Sequence, residues 1–338
     1  MCKKVTMKTF PMGFPWQTFD PFLFCAHHQD VYPSGNAQLG IDRDQLGGRA
    51  LGSDFEKKDG FRMYHGKQIP GFPYHPHCGF ETITLVTEGY IDHSDSLGAA
   101  ARFGEGDVQW MTAGSGVQHS EMFPMLQSDK ENRLELFQIW LNLPARSKQV
   151  DAHFEMIWAD EIPQWKSNGV FTRLIYGHIE GHTQSVCPPN SWASDRQNHL
   201  QLVQYIIDPG ATLQLPGTDQ QLHRALYQYK GTSQINGQGF EEGTGIFIEE
   251  EEELTIKNSS EEPVYFILMQ GKPIGEPVAK YGPFVMNTSQ EIEQVIQNYR
   301  RTEFGGWPWP TAEHVHDAGR GRFAQYPDGY IKLPNQIT

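Results

Sequence analysis

Basic residues are scarce in this chain and do not cluster. Lys and Arg number 27 against 41 Asp and Glu, leaving a formal net charge of −14 over 338 residues. A protein that grips nucleic acid needs a Lys/Arg patch to neutralise phosphates. An anionic membrane surface makes the same demand, so neither direct nucleic-acid binding nor membrane association is expected. Cysteine is nearly missing too: Cys2, Cys25, Cys78 and Cys187 are far apart and form no C-x-x-C pair. At this size that argues against a disulfide framework and for a reduced, cytoplasmic chain. Long apolar runs are absent. The opening MCKKVTMKTFPMGFPW has two lysines but no apolar core, so a secretory signal is not expected, and no stretch is long enough to span a bilayer.

What is abundant is punctuation. Gly (34) and Pro (22) accompany only 38% hydrophobic residues, a mixture that suits short strands better than long helices. Phe80–Val86 is rich in β-branched residues and ends at Glu88-Gly89. Tyr90–His93, Val108–Met111, Val117–Met122 and Leu134–Leu143 follow as strands. The second half repeats the rhythm in Leu202–Ile207, Arg224–Tyr229, Ile246–Ile248 and Val264–Met269, with Asn236-Gly237 as a hairpin signal. Residues 1–70 read as loops and isolated strands. The expected fold class is all-β: two antiparallel β-barrel (jelly-roll) domains. The expected division is residues 1–149, 150–302 and a C-terminal extension, 303–338. Glu249–Glu253 reads as a solvated turn. Thr288-Ser289-Gln290-Glu291 is a capping box, and Ile292, Val295, Ile296 and Tyr299 form one apolar stripe, predicting a packing helix near 289–301. His314-Val315-His316 reads as two stray histidines on a surface tail.

The chemistry concentrates in Tyr74-His75-Pro76-His77-Cys78-Gly79-Phe80-Glu81. On a strand, residues two apart face the same way, so His75, His77 and Glu81 are expected on one face. His119 and Glu121 form a second same-face pair. If the two strands are neighbours, three imidazoles and a carboxylate surround one point. That donor set suits Fe(II), Mn(II), Ni(II) or Zn(II) and is too nitrogen-rich for Mg or Ca. The residues alone leave Glu81 and Glu121 both open as the carboxylate.

These stretches carry a family resemblance. His75-Pro76-His77-x-Gly79-Phe80-Glu81-Thr82, then Gly106-Asp107-Val108-Gln109-Trp110-Met111-Thr112-Ala113-Gly114, His119-Ser120-Glu121, Leu141-Asn142-Leu143-Pro144 and Gly282-Pro283-Phe284-Val285-Met286-Asn287-Thr288 closely resemble pirins, members of the cupin superfamily. The resemblance spans roughly residues 10–302. It implies a bicupin with two barrels face to face and one metal ion, typically iron, in the N-terminal barrel only. His75, His77, His119 and Glu121 match the ligands of that family, which leaves Glu81 as a candidate to support them from behind. The chain departs from the pattern at Cys78, where an Arg is usual, at Cys25-Ala26-His27-His28, and in its longer tail.

The resemblance implies a metal-dependent dioxygenase of the quercetin 2,3-dioxygenase type. One divalent transition metal, iron(II) first among the candidates, would organise a small aromatic or enol substrate and O₂, and Glu121 would act as catalytic proton acceptor. Phe72, Phe80, Trp110, Met111 and Phe123 flank the ligands and are candidates for an aromatic slot. The alternative is a non-enzymatic, iron-dependent redox sensor that binds a transcription factor or metabolic enzyme, its acidic surface facing a protein partner. A sugar-phosphate isomerase would need a cation to grip phosphate, and Arg102 is the only one near the motif strands.

Overall fold

The computed structural model describes residues 8–179, 181–218, 220–248 and 253–335, so Cys2 and most of Glu249–Glu253 lie outside the described residues. Strands dominate, with one α-helix among the described residues, Ser289–Thr302. No described helix is long and apolar enough to cross a membrane.

The chain packs as two compact units that interleave in sequence. One is His27–Asp160 with Glu276–Thr338, the other Met1–Ala26 with Glu161–Gly275. Each unit therefore takes chain from both sides of the linear boundary at 149/150. Both are stacked open sheets of the jelly-roll kind rather than closed barrels.

In the second unit the strands Lys8–Pro11, Thr244–Ile248, His223–Lys230, Val264–Gly271, Gln201–Ile207, Val170–Ile179 and Gln164–Ser167 pair in that order. A four-stranded sheet, which includes Thr212–Leu215 and Leu254–Lys257, accompanies them. Leu174, Val203, Leu226, Ile246, Ile256 and Phe266 belong to its core. Asn236 (φ 48°) and Gly237 (φ 81°) make the turn between Ser233–Ile235 and Gln238–Phe240. Two positive φ values in a row are what a type I′ hairpin needs, as the Asn-Gly pair predicts.

The first unit has a five-stranded sheet ordered His153–Ile157, Val108–Thr112, Phe80–Glu88, Asn132–Asn142, Phe22–Tyr32, the last strand belonging to it from His27 onward. Its six-stranded sheet is ordered Ile331–Lys332, Phe323–Gln325, Ala100–Gly104, Tyr90–Asp95, Val117–Met122, Gly71–His77. The strand Gly71–His77 ends at a corner, and Phe80–Glu88 starts in the other sheet. Gly79 turns that corner at φ +85°, and a Cβ there would collide with the Val285 carbonyl, so only glycine fits. Buried Lys148 pins the corner, donating to the Gly79 carbonyl at 2.9 Å and to Asn142 Oδ1 at 2.8 Å. The Cys78 thiol donates to the Gly114 carbonyl at 3.2 Å and packs with Phe284, Met286, Ile292 and Val295 of the hairpin and helix. Burial pushes that thiol up to about 12, against the opposing pull of Lys148. The helix begins with the predicted capping box, Thr288 with Glu291.

The C-terminal extension is not a surface tail. Phe323–Gln325 adds to the sheet beside Ala100–Gly104, and His316 is 7% exposed, its Nε2 paired with the His93 carbonyl at 2.9 Å. Arg102 holds the segment. Its Nε and Nη2 each donate to the Asp92 carboxylate at 2.7 Å. The remaining N–H groups reach the carbonyls of His316 (2.9 Å), Asp317 (2.9 Å) and Arg320 (2.6 Å). Every guanidinium donor is thus engaged within the chain, so Arg102 offers nothing to a substrate phosphate. Isolated histidines in a sequence carry no sign of such a carbonyl nest, which is why the tail read as surface.

A second buried polar group sits near the sheet end. His28 Nδ1 pairs with the Tyr64 hydroxyl at 2.8 Å, and Tyr64 donates to Asp30 at 2.6 Å. Burial, then the nearby Arg62 and His27 charges, pushes His28 down to about 3.

Two outcomes follow. Arg102→Gln strands the buried Asp92 carboxylate and should cost about 3–5 kcal/mol, with limited proteolysis now cutting beyond residue 305; unchanged melting and unchanged cleavage would refute the strap. His28 stays neutral when folded but takes a proton near pH 6.5 when unfolded, so the unfolded state binds more protons as pH falls below that value. It should therefore remove about 2 kcal/mol of stability from the metal-free chain between pH 7 and pH 5. Urea melts at the two pH values should show that difference shrinking by this amount in His28→Gln.

Candidate metal centre

The site is assembled by cross-strand register. Gly71–His77 pairs antiparallel with Val117–Met122, placing His75 opposite His119, His77 opposite Val117 and Phe72 opposite Glu121. Directly opposed residues share a face. Phe72 and His75 have odd spacing, and a β-bulge between them absorbs the extra residue and restores the common face. Pro73 lies in that bulge, a position that spares proline the ladder bond it cannot make. Its carbonyl accepts from His75 Nδ1 at 2.9 Å, leaving Nε2 of His75 as the free lone pair. On its other edge Val117–Met122 pairs with Tyr90–Asp95, with His93 opposite Glu121 and Asp95 opposite His119.

His75, His77 and His119 offer ring nitrogens that all lie within 4.8 Å of one another, and their ring centroids are 4.6–4.9 Å apart. Nδ1 of His77 and both ring nitrogens of His119 are buried without a hydrogen-bond partner. Such groups are costly unless something takes up their lone pairs. Burial drives the His77 and His119 pKa values well below normal and brings His75 down to about 4, the Pro73 bond acting in the opposite sense. Neutral imidazole is the ligating form, so the triad can hold a metal ion.

Glu121 stands beside the triad, its Oε2 4.0 Å from His119 Nε2. The facing sheet positions it: the Thr84 hydroxyl lies 2.9 Å from Oε1, and Gln138 Nε2 donates to Oε2 at 3.2 Å. Burial raises its pKa, partly offset by His93, Thr84 and Gln138. The His77 wall is aromatic, with Phe80 at 5.1 Å and Trp140 at 5.4 Å between ring centroids.

The pleat sorts the remaining candidates. Thr84 touches Glu121, so the even-numbered residues of Phe80–Glu88 face the site as far as the unbroken register runs, from Phe80 to Val86. Glu81 is odd: it shares the opposite face with Ile83, and its carboxylate accepts from the Thr112 hydroxyl. The expectation that Glu81 shares a face with His75 and His77 is corrected, because Gly79 sends the chain into the other sheet and breaks the alternation. Trp110 pairs with Ile83 and also faces away, whereas Met111 pairs with Thr82 and faces in. Met111 packs with Ala113 and Val117. Phe72 reaches the site, 6.3 Å from His75 between centroids. Phe123 belongs to the main core and packs on Phe72 at 6.2 Å between centroids.

Sequence reasoning missed Thr84, Gln138, Trp140 and His93. The first three carry no signal before sheet pairing is known. His93 carried one: it ends the predicted strand Tyr90–His93 two residues before Asp95, and the structure, where the strand runs on to Asp95, pairs its Nε2 with Asp95 Oδ2 at 3.1 Å.

Two stacked antiparallel sheets with a histidine triad on an inner face define a cupin. Family models agree: residues 5–141 match Pirin and residues 202–305 match the Pirin C-terminal cupin domain. The chain belongs to the pirin family. It is 36% identical over 238 residues, 70% of this chain and 80% of the relative, to a Vibrio cholerae protein named "Putative quercetin 2,3-dioxygenase". It is 32% identical to Pirin of Homo sapiens, over 72% of this chain and 81% of that one. Among solved structures, a quercetin 2,3-dioxygenase from Acinetobacter baumannii aligns with TM-score 0.67 and 26% identity over 89% of this chain and 95% of that chain.

Substitution separates the two carboxylates. Glu121→Gln and Thr84→Val should lower metal affinity, Thr84→Val by about 10- to 100-fold as an outer-shell change, while Glu81→Gln should keep the metal. Elemental analysis after dialysis against graded chelator reads this out; metal lost from Glu81→Gln and kept by Glu121→Gln would reverse the assignment.

Proposed function

We propose that this chain is a metal-dependent dioxygenase of the quercetin 2,3-dioxygenase type, with iron(II) held by His75, His77, His119 and Glu121. The observation that carries the reading is the setting of Glu121: a buried carboxylate beside the triad, held by Thr84 and Gln138 of the facing sheet. The orphaned nitrogens of His77 and His119 fit a resident ion. When bound, that ion would supply Lewis acidity and open positions for substrate and O₂.

The chain's own residues do the rest. Glu121 accepts the proton of a flavonol-type enol hydroxyl, a group whose acidity the site must match. Thr84 and Gln138 hold the carboxylate in place during the transfer. Phe72, Phe80 and Trp140 supply flat apolar walls for an aromatic ring. The names of the Vibrio cholerae relative and of the Acinetobacter baumannii structure support the same substrate class.

Protein loaded separately with iron, manganese and nickel is incubated with quercetin in air. Loss of the flavonol band together with oxygen uptake is expected with at least one metal, and Glu121→Gln should slow it by about 100-fold or more. Absence of oxygen uptake with every metal would reject the reading.

A further inference from the structure

The inner faces of the first unit contain more unanswered polar groups than a metal ion alone would engage. Thr82 Oγ1, both polar atoms of the Gln109 side chain and Nδ1 of His93 are buried without a hydrogen-bond partner. Thr82 and Gln109 are at most 0% exposed, as is His93. One orphaned hydroxyl is unremarkable, but an amide with neither its N–H₂ nor its C=O engaged forfeits the full desolvation cost of both.

Register brings these groups to one place. Thr82 lies on the inward face of its strand between Phe80, which packs on His77, and Thr84, which bonds Glu121. It therefore looks onto the region between the triad and the carboxylate. Gln109 is the cross-strand neighbour of Thr84. In the opposite sheet His93 is the cross-strand neighbour of Glu121. Thr84 and Glu121 touch across the gap, so Gln109 and His93 flank that contact on the same side. The stacking of His93 on Phe154, at 5.1 Å and 25°, supports this, since Phe154 pairs with Met111 on the same inward face.

His93 is also held for a purpose beyond packing. Asp95 Oδ1 accepts from the Leu97 and Ala99 amides, both at 2.9 Å, and Oδ2 takes Nε2 of His93 at 3.1 Å. With Nε2 paired to a fixed carboxylate, Nδ1 is the ring nitrogen left without a partner, on the cross-strand neighbour of Glu121. A donor–acceptor amide, a hydroxyl and an acceptor nitrogen are together what a hydroxyl group or a water molecule requires.

We infer that Thr82, His93 and Gln109 form a polar subsite beside the metal that binds one oxygen atom: water in the free protein, and in the complex the hydroxyl oxygen of a ligand whose neighbouring oxygen is on the metal. The ligand class is thus a compound with two adjacent oxygens, such as a hydroxy-ketone or catechol. This deepens the dioxygenase reading and, for the ligand half, rests on it.

The test uses the nickel-loaded full chain without oxygen. A high-resolution crystal structure should show an ordered oxygen within hydrogen-bond distance of both Gln109 and His93 Nδ1, lost in Gln109→Leu while metal content is unchanged. A dry gap, or a direct Gln109–His93 bond, overturns the subsite whatever the protein does with quercetin. Calorimetric titration then compares quercetin with the analogue lacking its 3-hydroxyl. Gln109→Leu should weaken quercetin about 10-fold and the analogue little, the loss of one such bond; equal weakening of both, or no change, overturns the ligand half. Quercetin failing to bind the wild-type chain rejects the substrate reading, and the ordered oxygen still decides the subsite.

Discussion

The first unit depends on the cost of burying polar groups between two sheets. Three imidazoles with nitrogens within 4.8 Å of one another gain nothing from each other. Neutral, they have lone pairs to place; charged, they would repel in a medium that screens poorly. Burial forces the neutral state, and the neutral state is the one that takes a metal. The desolvation that would otherwise weaken the fold is thereby the property that prepares the site.

Everything near the triad serves to hold that arrangement in place. The bulge before His75 restores the face that odd spacing would have lost. Gly79 and Lys148 fix the corner from which the opposite wall departs. Thr84 and Gln138 reach across from that wall to orient Glu121. The other side of the sheet is fixed from the C-terminus, where Arg102 spends all its donors on Asp92 and three backbone carbonyls of the closing segment. A segment that reads as an appendage is thus part of the unit that holds the triad.

Family membership and geometry agree on the triad and differ in what they add. Likeness to pirins bears on the four residues His75, His77, His119 and Glu121. Geometry supplies the company they keep: an aromatic wall of Phe80 and Trp140, a carboxylate-backed His93, and the unengaged Thr82 and Gln109. Fold alone does not confer an activity; these neighbours are what a substrate would meet.

The strands of both halves, the Asn236-Gly237 hairpin and the Thr288 capping box were legible because each is a local preference of a few adjacent residues. So were the pairs His75/His77 and His119/Glu121, which need only the two-residue pleat. Glu81 misled because the same pleat was carried through Gly79, where the chain changes sheets. Trp110 misled because nearness in sequence to Met111 says nothing about which of two opposite faces it occupies. Thr84, Gln138 and Arg102 act through partners up to some two hundred residues away, as His316 is from Arg102. The sequence by itself determined which residues could bind a metal and which segments would be strands. Only the tertiary structure decided which faces meet, because register, bulge and corner are set by the pairing of distant strands.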